Sequence, residues 1–129
     1  PRAVRLEAPE NKLPDFSVTE RVPACQAALY RLNGDLNPLH IDPAAAERAG
    51  FNQPILHGLC TYGYATRAVV NSGLDCHADL LKGFKARFSK PVYPGDKLTT
   101  EGWRSVGGFI VRVSTQAGPV ITNAFAATQ

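Results

Sequence analysis

Phe16 to Val22 alternates apolar and polar residues, the period of a half-buried strand. Pro23 suits a first helical turn, Ala24 to Leu32 is helix-forming, and Gly34 is a natural stop. Asp42-Pro43 reads as an N-cap followed by proline at the first helical position, with Gly50 ending that short helix. From Gly58 to Gly73 only Arg67 carries a charge, so the spacing predicts a 16-residue helix buried nearly all round. At ~1.5 Å per residue it would be ~24 Å long, enough to cross a small domain. Alternation then returns. Phe84, Ala86 and Phe88 oppose Lys85 and Arg87 within Lys82 to Ser89. Tyr93-Pro94-Gly95-Asp96 is a turn, Lys97 to Val106 a strand, and Gly107-Gly108 a two-residue hairpin signal. Phe109, Val111 and Val113 face away from Ile110, Arg112 and Ser114, and Gly118-Pro119 turns into a last strand over Val120 to Ala127.

That order predicts an α+β fold: an antiparallel sheet wrapped around one long buried helix, each element covering the other's apolar face. The domain is expected over residues 16–129. Residues 1–15 hold Pro1, Pro9 and Pro14 among charges and read as a linker or extended lead-in. One sheet end and part of the helix would still need cover, which argues for pairing with a second sheet.

Composition narrows the function classes. The 129 residues make one ordinary domain, and 44% hydrophobic residues suffice for a core. A formal charge of +3 is too mild to imply nucleic acid, and no apolar run approaches the ~20 residues that span a bilayer. The start lacks signal-peptide character, and beginning with Pro it reads as a processed chain or a piece of a longer one. Cys25, Cys60 and Cys76 are expected to be reduced, buried thiols of an intracellular protein. Three histidines without partners at ligand spacing give no expectation of a metal.

The candidate chemistry is concentrated between Tyr30 and Arg67. Asp35, Asn37 and His40 fall within six positions around Pro38. A carboxylate, a carboxamide and an imidazole in one polar loop can hold a water and move protons near neutral pH. Each alone has an ordinary explanation: Asp35 after a helix end, Asn37 as a turn residue before proline, His40 as a hydrogen-bonded loop residue. Gly58 then opens the long helix, where unpaired N–H groups can stabilise an oxyanion; close helix packing would also explain a glycine there. His57 reads as structural, holding the turn into the helix. His77 reads as solvated, and Tyr62, Tyr64 and Trp103 as core or interface.

Taken together, Tyr-Arg-Leu-Asn-Gly-Asp-Leu-Asn-Pro-Leu-His-Ile-Asp-Pro at 30–43 and Pro-Ile-Leu-His-Gly-Leu-Cys-Thr at 54–61 resemble the hydratase motif of the MaoC-like, hot-dog-fold dehydratases. The likeness is greatest to the (R)-specific 2-enoyl-CoA hydratases, or hydratase 2, and Phe88-Ser-Lys-Pro-Val-Tyr-Pro-Gly95 resembles that family's later strand and turn. The resemblance covers about residues 25–127. It implies a hot-dog fold and reversible hydration of trans-2-enoyl-CoA to (R)-3-hydroxyacyl-CoA in fatty-acid metabolism. It implies Asp35 and His40 as the catalytic pair, Asn37 as a holder of the water, and Gly58 as the backbone donor to the thioester oxygen. It further implies that Leu36, Pro38 and Leu39 line the loop meeting the acyl thioester, with Phe88 near the bound acyl-CoA. On the polar face of the Phe88 strand, Lys85 and Arg87 could meet CoA phosphates or simply face solvent.

No cofactor is expected beyond CoA as part of the substrate. The expected partners are the acyl-CoA and a second hot-dog unit, either an identical copy or a preceding half, with no nucleic acid and no membrane. The expected location is intracellular: a peroxisomal matrix in a eukaryote, the cytoplasm in a bacterium. Two alternatives stand beside hydration. A hot-dog thioesterase would need a carboxylate on the long helix, and Gly58 to Gly73 has none. A non-catalytic subunit completing a partner's site would have no need of Asp35 and His40.

Overall fold

The computed structural model describes residues 6–128, so residues 1–5 of the expected lead-in over 1–15 lie outside the described residues. In chain order the elements are β1 (Phe16–Arg21), α1 (Gln26–Tyr30), α2 (Pro43–Arg48), α3 (Gly58–Ala68), β2 (Gly83–Phe88), β3 (Lys97–Ser105), β4 (Gly108–Thr115) and β5 (Gly118–Ala127). The strands form one antiparallel sheet in the order β1-β3-β4-β5-β2. A π turn, Val69–Gly73, continues α3, so the helical run starts and ends at the two expected glycines. This is the α+β arrangement expected from the order of elements, a sheet laid on one long helix, and the hot-dog fold that the resemblance implies.

The core lies between α3 and one face of the sheet. Cys60, Ala65 and Val69 meet Leu98 of β3, Phe109, Val111 and Val113 of β4, and Ile121, Ala124 and Ala126 of β5. Alternation supplies most of these inward positions. In β5 an extra residue interrupts it: Val111 pairs with Ala124, but Val113 pairs with Ile121. Asn123 absorbs this bulge at φ 47, and its side-chain carbonyl accepts a hydrogen bond from Leu6 N at 2.8 Å. Phe16 closes one end by laying its ring over Gly102, where an added Cβ would collide with it, and edge-on to Phe109 at 5.6 Å.

Residues 6–15 have no regular strand or helix, yet they dock on the outer face of the sheet. Trp103 Nε1 donates to Lys12 O at 2.8 Å, and Arg104 N donates to Asp15 Oδ2 at 2.7 Å. Trp103 is thereby buried on the side away from α3, with the Arg112 guanidinium over its ring.

Three expectations need correction. The long helix is not buried nearly all round: Leu59 is 65% exposed, and Gly63 and Arg67 are also exposed, because a single sheet covers only one side of it. The hairpin loop is Val106-Gly107 rather than Gly107-Gly108, since Gly108 already pairs with Ser105 and Gly107 takes the positive φ. Of the cysteines only Cys60 is buried; Cys25 precedes a five-residue helix that turns it outward, and Cys76 lies in an exposed connection.

Candidate active site

α1 runs into a 3-10 turn, Arg31–Asn33, and Gly34 stops it at φ 111. The chain then crosses an exposed stretch, Asp35 to Pro38, and tightens into a second 3-10 turn, Pro38–His40. Asn37 caps that turn, its side-chain oxygen accepting from Leu39 N at 3.1 Å. The carboxamide oxygen of Asn37 therefore serves the turn, leaving its NH2 for the loop's open side. Asp42 caps α2 in the expected way, accepting from Ala44 N at 2.9 Å.

His40 is buried at the end of this loop, and its Nδ1 lies 2.8 Å from Ile55 O. A carbonyl can only accept, so Nδ1 carries the proton and the neutral ring presents a lone pair at Nε2. His57 stands just before α3, and its Nε2–H donates to the Asp35 main-chain carbonyl at 3.2 Å. The His57 ring stacks on His40 at 3.8 Å between centroids and 24° between planes, and its surroundings include the Tyr30 ring at 4.7 Å. Asp35, His40 and His57 each place a donor or acceptor atom within 4.8 Å of the others'. One water making two hydrogen bonds of about 2.8 Å can bridge such a gap. His57 is held below the ordinary histidine range, chiefly by burial, with the nearby His40 and Arg31 adding to the effect.

A carboxylate and two imidazoles are also a plausible ligand set for a transition metal. These rings are nearly parallel and stacked, so their lone pairs do not converge. An ion at about 2.0–2.1 Å from both nitrogens would lie well out of at least one ring plane. The arrangement fits a water better than a shared ion.

Beyond His57 the helix begins. Its carbonyl accepts from Cys60 N and Thr61 N at 3.0 and 3.2 Å, while the N–H groups of Gly58 and Leu59 have no main-chain partner among the described residues. They point out of the helix start, where the partial positive charge of the peptide dipoles is greatest. The Phe88 ring lies across Gly58, so close that an added Cβ would touch it at 3.4 Å. A cleft of about 270 Å³ opens here, lined by Gly58, Phe51, Ile55, Thr61, Phe88 and Val92 among others. A larger cavity of about 870 Å³ lies between the lead-in and the sheet's outer face and holds none of Asp35, His40 or Gly58.

The structure thus sets the His40 ring and the Asp35 carbonyl against His57, the residue before Gly58, with Asn37 on the same loop, and puts Phe88 beside that helix start; the cleft at Gly58 is not itself lined by Asp35, Asn37 or His40. Leu36 and Pro38 are exposed and Leu39 is half-buried on the same loop. Lys85 and Arg87 are not brought to the cleft. Both are exposed, and Arg87 lines the outer cavity. The cation at the cleft is Lys90, whose Nζ donates to Ala117 O at 2.9 Å. Local sequence marks His57 only as a turn residue; its stacking on His40 depends on a chain reversal across 41–56 that no local pattern announces.

The MaoC like domain family matches residues 5–123 of this chain. The peroxisomal multifunctional enzyme type 2 of Mus musculus is 47% identical over 117 residues, covering 89% of this chain and 16% of that protein. A probable enoyl-CoA hydratase 2 of Dictyostelium discoideum is 46% identical over 105 residues, covering 81% of this chain and 36% of that protein. The solved full-length peroxisomal multifunctional enzyme type 2 of Drosophila melanogaster superposes with a TM-score of 0.90 at 43% identity, covering 99% of this chain and 24% of that one. The chain therefore spans from about a sixth to about a third of the length of these two sequence relatives.

Proposed function

The chain belongs to the MaoC-like domain family, and we propose that it carries the hydration site of an (R)-specific enoyl-CoA hydratase acting in fatty-acid metabolism. The observation that carries the reading is the Asp35–His40 pair, with atoms within 4.8 Å, set beside the open start of α3. In this reading a water held by the pair, with the Asn37 NH2 steadying it, adds its oxygen to C3 of a trans-2-enoyl-CoA. One water proton passes to the pair, and the pair returns a proton to C2, so hydrogen and charge balance. As the C2–C3 π bond breaks, negative charge builds on the thioester oxygen. The Gly58 N–H lies where it can meet that charge; removing one such donor commonly costs ~3 kcal/mol in barrier. The conjugated acyl group would lie along Phe88 and the 270 Å³ cleft, with Leu36, Pro38 and Leu39 on its open side.

A cleft of that size does not enclose a long acyl-CoA, and the loop bearing Asp35 is exposed. β2 is an edge strand, and Leu29, Leu32, Leu36 and Leu59 are all more than half exposed. Exposed apolar surface and an open strand edge both favour a protein partner. We therefore extend the proposal to a second hot-dog unit, an identical copy or a covalent neighbour, completing the site. A peroxisomal location fits the names of the two multifunctional enzymes above. No helix among the described residues is long and apolar enough to cross a membrane.

The test is spectroscopic. The assembled protein should remove the conjugated absorbance of a trans-2-enoyl-CoA without releasing free thiol, and the product should be oxidised by an (R)-specific rather than an (S)-specific dehydrogenase. Thiol release would support a thioesterase, and a mainly (S) product would refute the stereochemical assignment. Light scattering at assay concentration tests the pairing: full activity from a lone monomer would overturn the shared site.

A further inference from the structure

We infer that His57 is a positioning residue of this site, an imidazole whose ring face sets His40 and whose Nε2–H sets the Asp35 loop. The inference rests on the hydratase reading above.

His57 is 1% exposed, so the cleft gives a substrate no route to it. It holds the pair at two points. Its ring stacks on His40 at 3.8 Å, and its Nε2–H donates to the Asp35 carbonyl at 3.2 Å. The residue is itself fixed by the Tyr30 ring at 4.7 Å and by its own carbonyl, which accepts the Cys60 and Thr61 N–H groups. The next residue is Gly58. One side chain and its backbone therefore tie the carboxylate loop, the imidazole and the oxyanion donor into a single rigid unit. Such fixation matters because small displacements of reacting groups cost orders of magnitude in rate.

The protonation state is part of the argument. The groups that act on His57 are Arg31, Asp35 and His40, and burial outweighs the favourable effect of Asp35. A protonated His57 would place a second positive charge against His40 and oppose proton uptake there. A neutral ring instead offers its π face. His57 Nδ1 is buried with no hydrogen-bond partner among the described residues, which costs stability. A phenyl ring would avoid that cost and keep the stacking, but it would lose the bond to Asp35. Glutamine could keep the bond but not the stacking.

The experiment pairs these two substitutions in the assembled enzyme. His57→Phe and His57→Gln should each lower kcat by about 10- to 100-fold, with KM changing less than about twofold, and each should shift the acidic limb of the kcat–pH profile. Circular dichroism and thermal melting would establish that the variants fold. In the unsubstituted protein, nitrogen-15 spectra of the imidazoles should show the neutral His57 ring protonated at Nε2 and its titration displaced to below the ordinary histidine range, so the inference stays testable if a variant does not fold. Wild-type kcat and pH profile in either folded variant, or a His57 that titrates like an exposed histidine, would overturn it. Asp35→Ala and His40→Ala separate the two readings. If those retain turnover, the hydratase assignment fails; if they lose it while both His57 variants are unaffected, only the positioning role fails.

Discussion

Asp35→Ala is the sharpest test of the site because the structure predicts a large kinetic effect with almost no stability effect. The Asp35 side chain is exposed, and the hydrogen bond it accepts from Asn37 N is long, at 3.4 Å. The backbone carbonyl that receives His57 is unchanged by the substitution. Removing an exposed side chain with so little to lose should move stability by no more than about 0.5 kcal/mol. Turnover is different. A general acid–base group is worth roughly 10²–10⁴-fold, or about 2.7–5.5 kcal/mol of barrier. His40→Ala should cost a similar factor, but it also empties a buried position and frees Ile55 O from its 2.8 Å bond, so its melting temperature should fall. If the two groups hold one water, as proposed, their effects should not multiply. The double variant should lie within about tenfold of the slower single variant. The assay is loss of enoyl-thioester absorbance at saturating substrate, with melting curves on the same preparations. Near-wild-type hydration by folded Asp35→Ala, or fully multiplicative losses in the double variant, would refute a shared water.

The remaining predictions concern stability and reactivity. His57 has its folded pKa lowered below the ordinary 6.5, so between that depressed value and 6.5 the unfolded chain binds a proton the folded chain refuses. The corresponding stability is fully present above about pH 6.5 and is lost as the pH falls through that window. Denaturation midpoints should therefore drop on acidification more steeply in the wild type than in His57→Phe; parallel pH dependences would refute this. Gly102→Ala should destabilise by about 1–3 kcal/mol, because its Cβ would occupy the place of the Phe16 ring, and an unchanged melting temperature would show that Phe16 moves freely. Under native conditions a thiol reagent should label Cys25 and Cys76 quickly and Cys60 only on unfolding, since Cys60 is buried and its thiol is pushed up by burial. Equal labelling of all three would contradict the packing of α3.

The features readable from the chain are those governed by neighbours in sequence. The helix limits at Gly58 and Gly73, the proline-led start of α2 under its Asp42 cap, and the inward alternation of β3 and β4 follow from local periodicity and capping chemistry. The Asp35–His40 spacing was readable for the same reason: both lie on one short loop. What escaped notice depends on distant segments. The bulge at Asn123 has no glycine to mark it, and it is set by the demands of two neighbouring strands on β5. The stack of His57 on His40 needs residues 41–56 to fold back before the rings can meet.

The exposure of α3 is greater than its composition suggests, in line with the expectation that part of the helix needs outside cover, and it turns a composition signal into a statement about assembly. A helix with one charge in 16 residues looks fully buried, and within this chain it is not: Leu59, Gly63 and Arg67 lie open along one side. Gly63 has nothing within 4 Å of an added Cβ, so packing within this chain does not require a glycine in mid-helix, where alanine would be favoured by about 0.5–1 kcal/mol. A near-uncharged helix with an open side, next to an unprotected edge strand and the exposed Asp35 loop, is what half of a shared core would present. The same surface that made the helix look buried in the sequence is, in this reading, the surface a second unit covers.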